Sequence, residues 1–198
     1  MLKVYTGSMK SNKSLELIKT VERLSLMKKR FRCFNPSFSG VQEISSRIGL
    51  TTHAIIVSEV LDIFQYINEN TDAILIDEVQ FLCKSEDDLS DLLFLVKYCE
   101  IDQIDLYVFG LSLDFKNEPF QTMKELLPYA DEITINRAVC EECFNADASK
   151  TLRLKNGMPC KFDDEVFVSK EDDKVVYRAV CKQCYYKSYE RRKCDGLE

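Results

Sequence analysis

The sequence predicts an α/β protein. A parallel sheet with helices on both faces spans residues 1–139, a small cysteine-framed domain spans residues 140–190, and a charged tail occupies residues 191–198. Three observations carry this. Short β-rich runs alternate with amphipathic helical stretches as far as Val139, the pattern of βαβ construction. A glycine-containing turn joins the first strand to the first helix. Beyond Val139 the helical rhythm stops, and two C-x2-C pairs frame the C-terminal region.

Each element has its own signature. "MLKVYT" reads as a strand and leads through Gly7 into "SLELIKTVERLSLMKK", where Leu15, Leu17, Ile18, Val21, Leu24 and Leu26 recur at helical spacing. "RFRCFN" and "HAIIVS" read as strands, and "EVLDIFQYINEN" as a helix. "DAILIDEVQF" is a buried strand that ends on acidic residues. "DDLSDLLFLVKYCEI" is helical, "DLYVFGLSL" is a strand, "EPFQTMKELLPYA" is a helix stopped near Pro128, and "DEITIN" closes the series.

Composition narrows the class. A chain of 198 residues with 45% hydrophobic and 30% charged residues can bury a core as one domain plus a small appendage. Apolar runs such as "AILI" are far too short to span a bilayer, and "MLKVYTG" lacks the architecture of a signal peptide. A net charge of −6 argues against a nucleic-acid partner. Nine cysteines without a secretory signal imply a reducing compartment, where thiols serve as ligands or core residues. The expected location is cytoplasmic, with neither membrane nor nucleic acid as a partner.

"GSMKSNKS", residues 7 to 14, nearly spells a phosphate-binding P-loop. Backbone N–H groups of a turn between strand and helix face phosphate oxygens, and the helix N-terminus adds positive partial charge. Gly7, Ser11 and Asn12 would line the loop, Lys13 would reach the β- and γ-phosphates, and Ser14 would hold magnesium. Asn12 stands where the pattern has its second glycine; asparagine is the next most tolerant residue of positive φ. Lys10 adds a second positive charge nearby. The competing reading is a plain turn in which Ser11 or Asn12 caps the helix.

"AILIDEVQF" adds independent support. Asp77 and Glu78 end a buried strand of the kind expected beside a phosphate-loop strand. Asp77 would complete the magnesium shell, and Glu78 would accept a proton from a hydroxyl attacking the γ-phosphate of ATP. Acidic pairs at strand ends are also common as solvated residues.

Cys140 and Cys143, then Cys181 and Cys184, form two C-x2-C pairs separated by 37 residues. Each pair suits two thiolates on one turn, and two such turns complete a closed tetrahedral zinc site of structural type. A redox dithiol is the competitor, though it needs only one pair. His53, the single histidine, has no partner pattern.

Taken in order, these segments resemble the type II thymidine kinase family, the zinc-containing form. "GSMKSNKS" tracks the family's phosphate loop, "LIDEVQFL" its acidic strand, and "FGLSLDFKNEPFQTMKELLPYAD" the segment after that strand. "AVCEECFNADASKTLRL" with "YRAVCKQCY" matches its zinc region, and "SSRIGL" resembles the short forms of some viral members. The resemblance implies a P-loop nucleotide-binding domain with a C-terminal zinc-binding lasso domain. It also implies ATP, Mg2+ and structural Zn2+ as cofactors, thymidine as the other substrate, and a homotetramer. By the same resemblance Glu78 would deprotonate the sugar 5′-hydroxyl and Phe115 would stack on thymine. Met9, Phe81, Leu111 and Phe120 would wall the base pocket, Tyr177 would sit on the lasso, and backbone groups near Phe167 and Val168 would read the base.

The sequence also departs from the family pattern. "RCFNPSFSGVQEISSR" carries no Asp-x-Arg element, and Arg47 is the first arginine after Arg32. Ser112 replaces an aspartate of the "GLDxDF" pattern, and "FVSKEDDKVVY" lacks the glycines usual in the lasso. A second reading therefore stands beside the enzyme: a kinase-derived binding or regulatory protein with weak or lost catalysis.

Overall fold

The computed structural model describes residues 1–39, 42–166 and 175–194, and the chain divides into two compact units. The first comprises Met1–Thr6, Asn12–Leu111 and Phe120–Ile135. The second comprises Gly7–Ser11, Ser112–Pro119 and the chain from Asn136 onward.

The first unit is built on a six-stranded sheet. Its strands are β1 (Leu2–Gly7), β2 (Phe31–Pro36), β5 (Ile55–Val57), β6 (Ala73–Ile76), β7 (Asp105–Leu111) and β8 (Glu132–Asn136), in the order β5-β2-β6-β7-β1-β8. Two further short strands, β3 (Glu43–Ser45) and β4 (Thr51–His53), form an antiparallel hairpin outside it. The four residues of β6 are completely buried, which requires cover on both faces and explains their unbroken apolar run. β6 runs parallel to β2 on one side and to β7 on the other.

The pleat divides the core in two. Ile74 and Ile76 join Leu92, Leu95 and Val96 of α2 (Glu86–Ile101) and Met123 and Leu126 of α3 (Gln121–Leu126). Ala73 and Leu75 join Leu17 and Leu24 of α1 (Lys13–Leu26), with Cys33, Ile44 and Phe109. The helices therefore flank both faces, as the alternation predicts.

Local chemistry sets the helix ends. Ser85 caps α2 in a reciprocal box: its Oγ accepts the Asp88 N–H at 3.2 Å, and Asp88 Oδ2 accepts the Ser85 N–H at 2.9 Å. α1 stops where Lys28 turns left-handed (φ 56°) and the Lys29 N–H returns to the Leu24 carbonyl at 2.9 Å. That stop leaves Leu26 79% exposed, outside the buried stripe its spacing suggested.

Two elements differ from the expectation. The helix expected in "EVLDIFQYINEN" is 3-10 over Val60–Tyr66, a tight turn that buries Val60 and Ile63. "HAIIVS" is broken at Ala54: His53 pairs with Glu43 in the β3–β4 hairpin, whereas Ile55 pairs with Phe34 in the main sheet.

The second unit centres on β11 (Lys150–Lys155), paired antiparallel with β12 (Met158–Pro159) and β13 (Val175–Val180). A small ladder joins β9 (Ala138–Val139) to β10 (Asp147–Ala148). Helix α4 (Lys182–Cys194) packs Tyr185 against Leu152, Leu154 and Val180, so the helical backbone runs into the stretch read as a charged tail. Among the described residues no helix is long and apolar enough to cross a membrane.

Candidate active site

The loop after β1 has the backbone of an anion cradle. Gly7 sits at φ +147°, and a Cβ there would lie 2.2 Å from the Asn136 carbonyl oxygen, so only glycine fits. Lys10 and Asn12 are both left-handed, at φ 64° and 63°. Left-handed residues in such a loop turn successive N–H groups toward one point. Asparagine thus supplies the backbone conformation that its substitution for glycine called into question. Its side chain makes no capping hydrogen bond to α1. Ser11 Oγ is buried and has no hydrogen-bond partner among the described residues. Neither side chain caps the helix, and an orphaned buried hydroxyl in this loop suits a phosphate oxygen as its partner.

Residues 7–11 of the loop belong to the second unit and are anchored within it. Ser8 Oγ donates to the Ala148 carbonyl at 3.4 Å, the Met9 N–H donates to Thr151 Oγ1 at 3.2 Å, and Lys10 Nζ lies 2.5 Å from Glu141 Oε1. The charge expected from Lys10 as a second phosphate ligand is thus paired with a carboxylate.

Asn12 precedes the cluster that defines the site in the first unit. Ser14 Oγ donates to Asp77 Oδ2 at 3.3 Å. Lys13 and Asp77 are both nearly inaccessible, 6% and 4% exposed. Burial pushes the Asp77 carboxyl up to about 7, and the charge of Glu78 adds to this; Lys13, the Glu78 N–H and Ser14 oppose it. Burial likewise lowers Lys13, against the pull of Glu78 and Asp77. A divalent cation fits this donor set, because a buried carboxylate and a hydroxyl supply hard oxygens where positive charge is short. β6 is not the neighbour of β1 as expected, since β7 lies between them. Ser14, in the first turn of α1, makes the contact instead.

Glu78 comes directly after the strand in a left-handed conformation (φ 47°, ψ 41°), an uncommon backbone for a non-glycine residue and one that gathers at functional sites. Its carboxylate accepts a hydrogen bond from Gln80 Nε2. Phe81 stacks on Phe38 with ring centroids 4.5 Å apart. Leu111 ends β7 and is nearly buried, and the half-buried Phe120 precedes α3.

In the second unit, loop 112–119 is closed by the Leu113–Pro119 bridge and by Asp114 Oδ1, which accepts the N–H groups of Lys116 and Glu118 at 2.9 Å each. This loop holds Phe115, which is 2% exposed. Arg153 covers one face of its ring at 3.7 Å, and Tyr185 Oη donates to its carbonyl at 2.6 Å. Tyr177 pairs with Arg153 across β13 and β11. Phe167 and Val168 lie outside the described residues.

The sulfur atoms of Cys140, Cys143, Cys181 and Cys184 all lie within 4.8 Å of one another. Tetrahedral Zn–S bonds of about 2.3 Å set S···S at ~3.8 Å, and Cys143 and Cys181 already stand at 4.0 Å. Burial works to raise the Cys140 thiol, but N–H groups of Cys143, Cys181 and Glu142 outweigh it and hold the thiol at about 6. Burial and its thiol neighbours push Cys184 up to about 12. Four thiols this close cannot all ionise without a cation among them, so the donor set fits zinc. Burial pushes Cys33, Cys83 and Cys99 up to about 12 each, as befits core thiols.

Sequence reasoning singled out neither Gln80 and Gly110 of the first unit nor Glu141, Arg153 and Tyr185 of the second, which support predicted site residues within their own units. All five lie inside the segments that carry the resemblance, and that position is the signal that could have flagged them.

The comparisons agree with this geometry. The thymidine kinase family model matches residues 1–185. A thymidine kinase of Pseudothermotoga lettingae is 33% identical over 189 residues, which covers 94% of this chain and 95% of that protein. A match across both the phosphate loop and the cysteine cluster leaves one conclusion: the chain belongs to the thymidine kinase family.

Proposed function

We propose that the protein transfers the γ-phosphate of ATP to the 5′-hydroxyl of thymidine, a step of deoxynucleoside salvage. The observation that carries this is the grouping of Lys13, Ser14, Asp77 and Glu78 where the phosphate loop enters α1 and β6 ends. An enzyme with kinase activity follows from the family, and the alternative of a binding protein with lost catalysis is not favoured.

The loop amides around Gly7, Ser11 and Asn12, with Lys13, hold the phosphates. Ser14 and Asp77 hold magnesium, which when bound offsets charge on the β- and γ-oxygens. Glu78 accepts the 5′-hydroxyl proton as that oxygen attacks the γ-phosphorus in line. The bond from the γ-phosphorus to the β,γ-bridging oxygen breaks, and ADP leaves. The reading assigns thymine to Met9, Phe81, Leu111, Phe115, Phe120, Phe167, Val168 and Tyr177 on the family resemblance alone. Structural zinc, a cytoplasmic location and a homotetramer belong to the same reading.

The test is a steady-state assay with ATP, magnesium and a panel of deoxynucleosides. Thymidine should turn over, Lys13→Ala should lose activity, and Glu78→Gln should lower kcat by about 10²- to 10⁴-fold while nucleotide binding persists. Unchanged turnover in Glu78→Gln removes Glu78 as base. Folded, zinc-loaded protein with no turnover of any nucleoside would move the conclusion to a binding protein.

A further inference from the structure

We infer that Gln80 is a positioning residue for Glu78, fixing which carboxylate oxygen is free to take the acceptor proton; this rests on Glu78 being the base. Gln80 is 1% exposed and uses both ends of its amide. Nε2 donates to Glu78 Oε2, and Oε1 accepts the Leu111 N–H at 3.1 Å.

The two bonds lock each other. Turning the amide over would set its carbonyl against the Glu78 carboxylate and its NH2 against the Leu111 N–H, two clashes between like partners. The backbone of β7 therefore decides which end of Gln80 faces Glu78. Glu78 Oε2 is held and Oε1 is left for the substrate hydroxyl.

Gly110 makes room for this arrangement. A Cβ there would stand 2.7 Å from Gln80 Oε1 and 2.9 Å from Val79 Cγ1. Gln80 thus lies against bare backbone, which a side chain at position 110 would cover. The left-handed turn at Glu78 completes the device. It swings the chain so that residues 78 and 80 face each other across the 3-10 turn Val79–Phe81. A carboxylate free to swing samples unproductive rotamers, and small misplacements of a reacting group cost rate steeply.

A core glutamine that merely satisfies its hydrogen bonds would affect stability, not turnover at saturation. Gln80→Met keeps the length and apolar bulk and removes the amide. It should lower kcat about tenfold or more, with the KM for ATP and for thymidine within twofold of wild type.

Gly110→Ala supplies the second arm. In the wild-type background it should lower kcat by a similar factor. In a Gln80→Ala background, where the amide it displaces is gone and only the contact with Val79 and Met123 persists, its effect on kcat should be several-fold smaller. A kcat within twofold of wild type in Gln80→Met overturns the inference. So does a Gly110→Ala effect of equal size in both backgrounds. If Glu78→Gln abolishes turnover while Gln80→Met retains it, only the role of Gln80 falls. If Glu78→Gln turns over normally, the base reading itself falls and takes the inference with it.

Discussion

The guanidinium of Arg153 lies 3.7 Å from the ring centroid of Phe115 and covers one face of that ring. Arg153 is 2% exposed, and its NH1 also donates to the carbonyl oxygens of Glu165 and Val166. Cys160, Tyr177 and the Asp164 carboxylate, 3.7 Å from NH2, are further partners, so one side chain ties loop 112–119 to β13 and to residues 164–166.

The Arg153 contact makes the first prediction. Arg153→Ala leaves two carbonyls short of a donor and uncovers Phe115, at a cost on the order of 3 kcal/mol. Arg153→Lys should recover only part of this, because a point charge cannot stack flat on a ring and also bridge two carbonyls. Urea unfolding of the three proteins measures it. A lysine variant as stable as wild type would assign Arg153 to bulk alone.

Asn12→Gly is the second. Asn12 already holds φ 63°, so glycine relieves a modest Cβ strain at the start of α1 and costs some chain entropy. The two effects nearly cancel, and stability should change by less than about 1 kcal/mol. The KM for ATP should stay within about threefold, since the N–H groups of the loop keep their direction. A tenfold fall in KM would mean that the asparagine side chain obstructs the phosphate.

These cases mark how far the sequence reaches. Strand–helix alternation located the sheet because β6 must be apolar on both faces. The cysteine spacing located the four-cysteine cluster because each C-x2-C pair lies on one turn. Neighbour relations were not legible: periodicity cannot tell that β7 separates β1 from β6. Nor could it tell that α1 would stop before burying Leu26, since a left-handed turn at Lys28 depends on no strong residue preference. Phe115 was legible as a motif residue. Its cover by Arg153 was not, because the two stand 38 positions apart and meet only through tertiary packing.

Zinc makes the third prediction. Purified protein should carry about one zinc per chain by elemental analysis, and Cys143→Ser or Cys181→Ser should lose it. Cys160→Ser, outside the cluster, should keep it. Glu141 sits between Cys140 and Cys143, accepts the Ala179 N–H at 2.6 Å and holds Lys10. Stripping the metal should therefore raise the KM for ATP as well as lower Tm, since Lys10 belongs to the phosphate loop. A fall in Tm with an unchanged KM would confine the zinc to a scaffold role.

The last concerns pH in the absence of nucleotide and magnesium. Asp77 titrates near 3.8 in the unfolded chain but is raised to about 7 in the native protein, by burial first and by Glu78 second. Between those values the native state binds more protons than the unfolded state, so this group makes stability fall as pH rises. Below the window both states are protonated and the penalty vanishes; above about 7 it is fully present. The melting temperature should accordingly decline between pH 5 and pH 8. Asp77→Asn, which cannot ionise, should flatten that decline and melt higher than wild type at pH 8. Magnesium with ATP should reverse the sign, because a cation held at the carboxylate would favour its ionised form. The same additions that stabilise wild type should do little for Asp77→Asn. Parallel pH slopes for the two proteins would mean that Asp77 carries no such penalty, and its assignment as a magnesium ligand would lose its electrostatic basis.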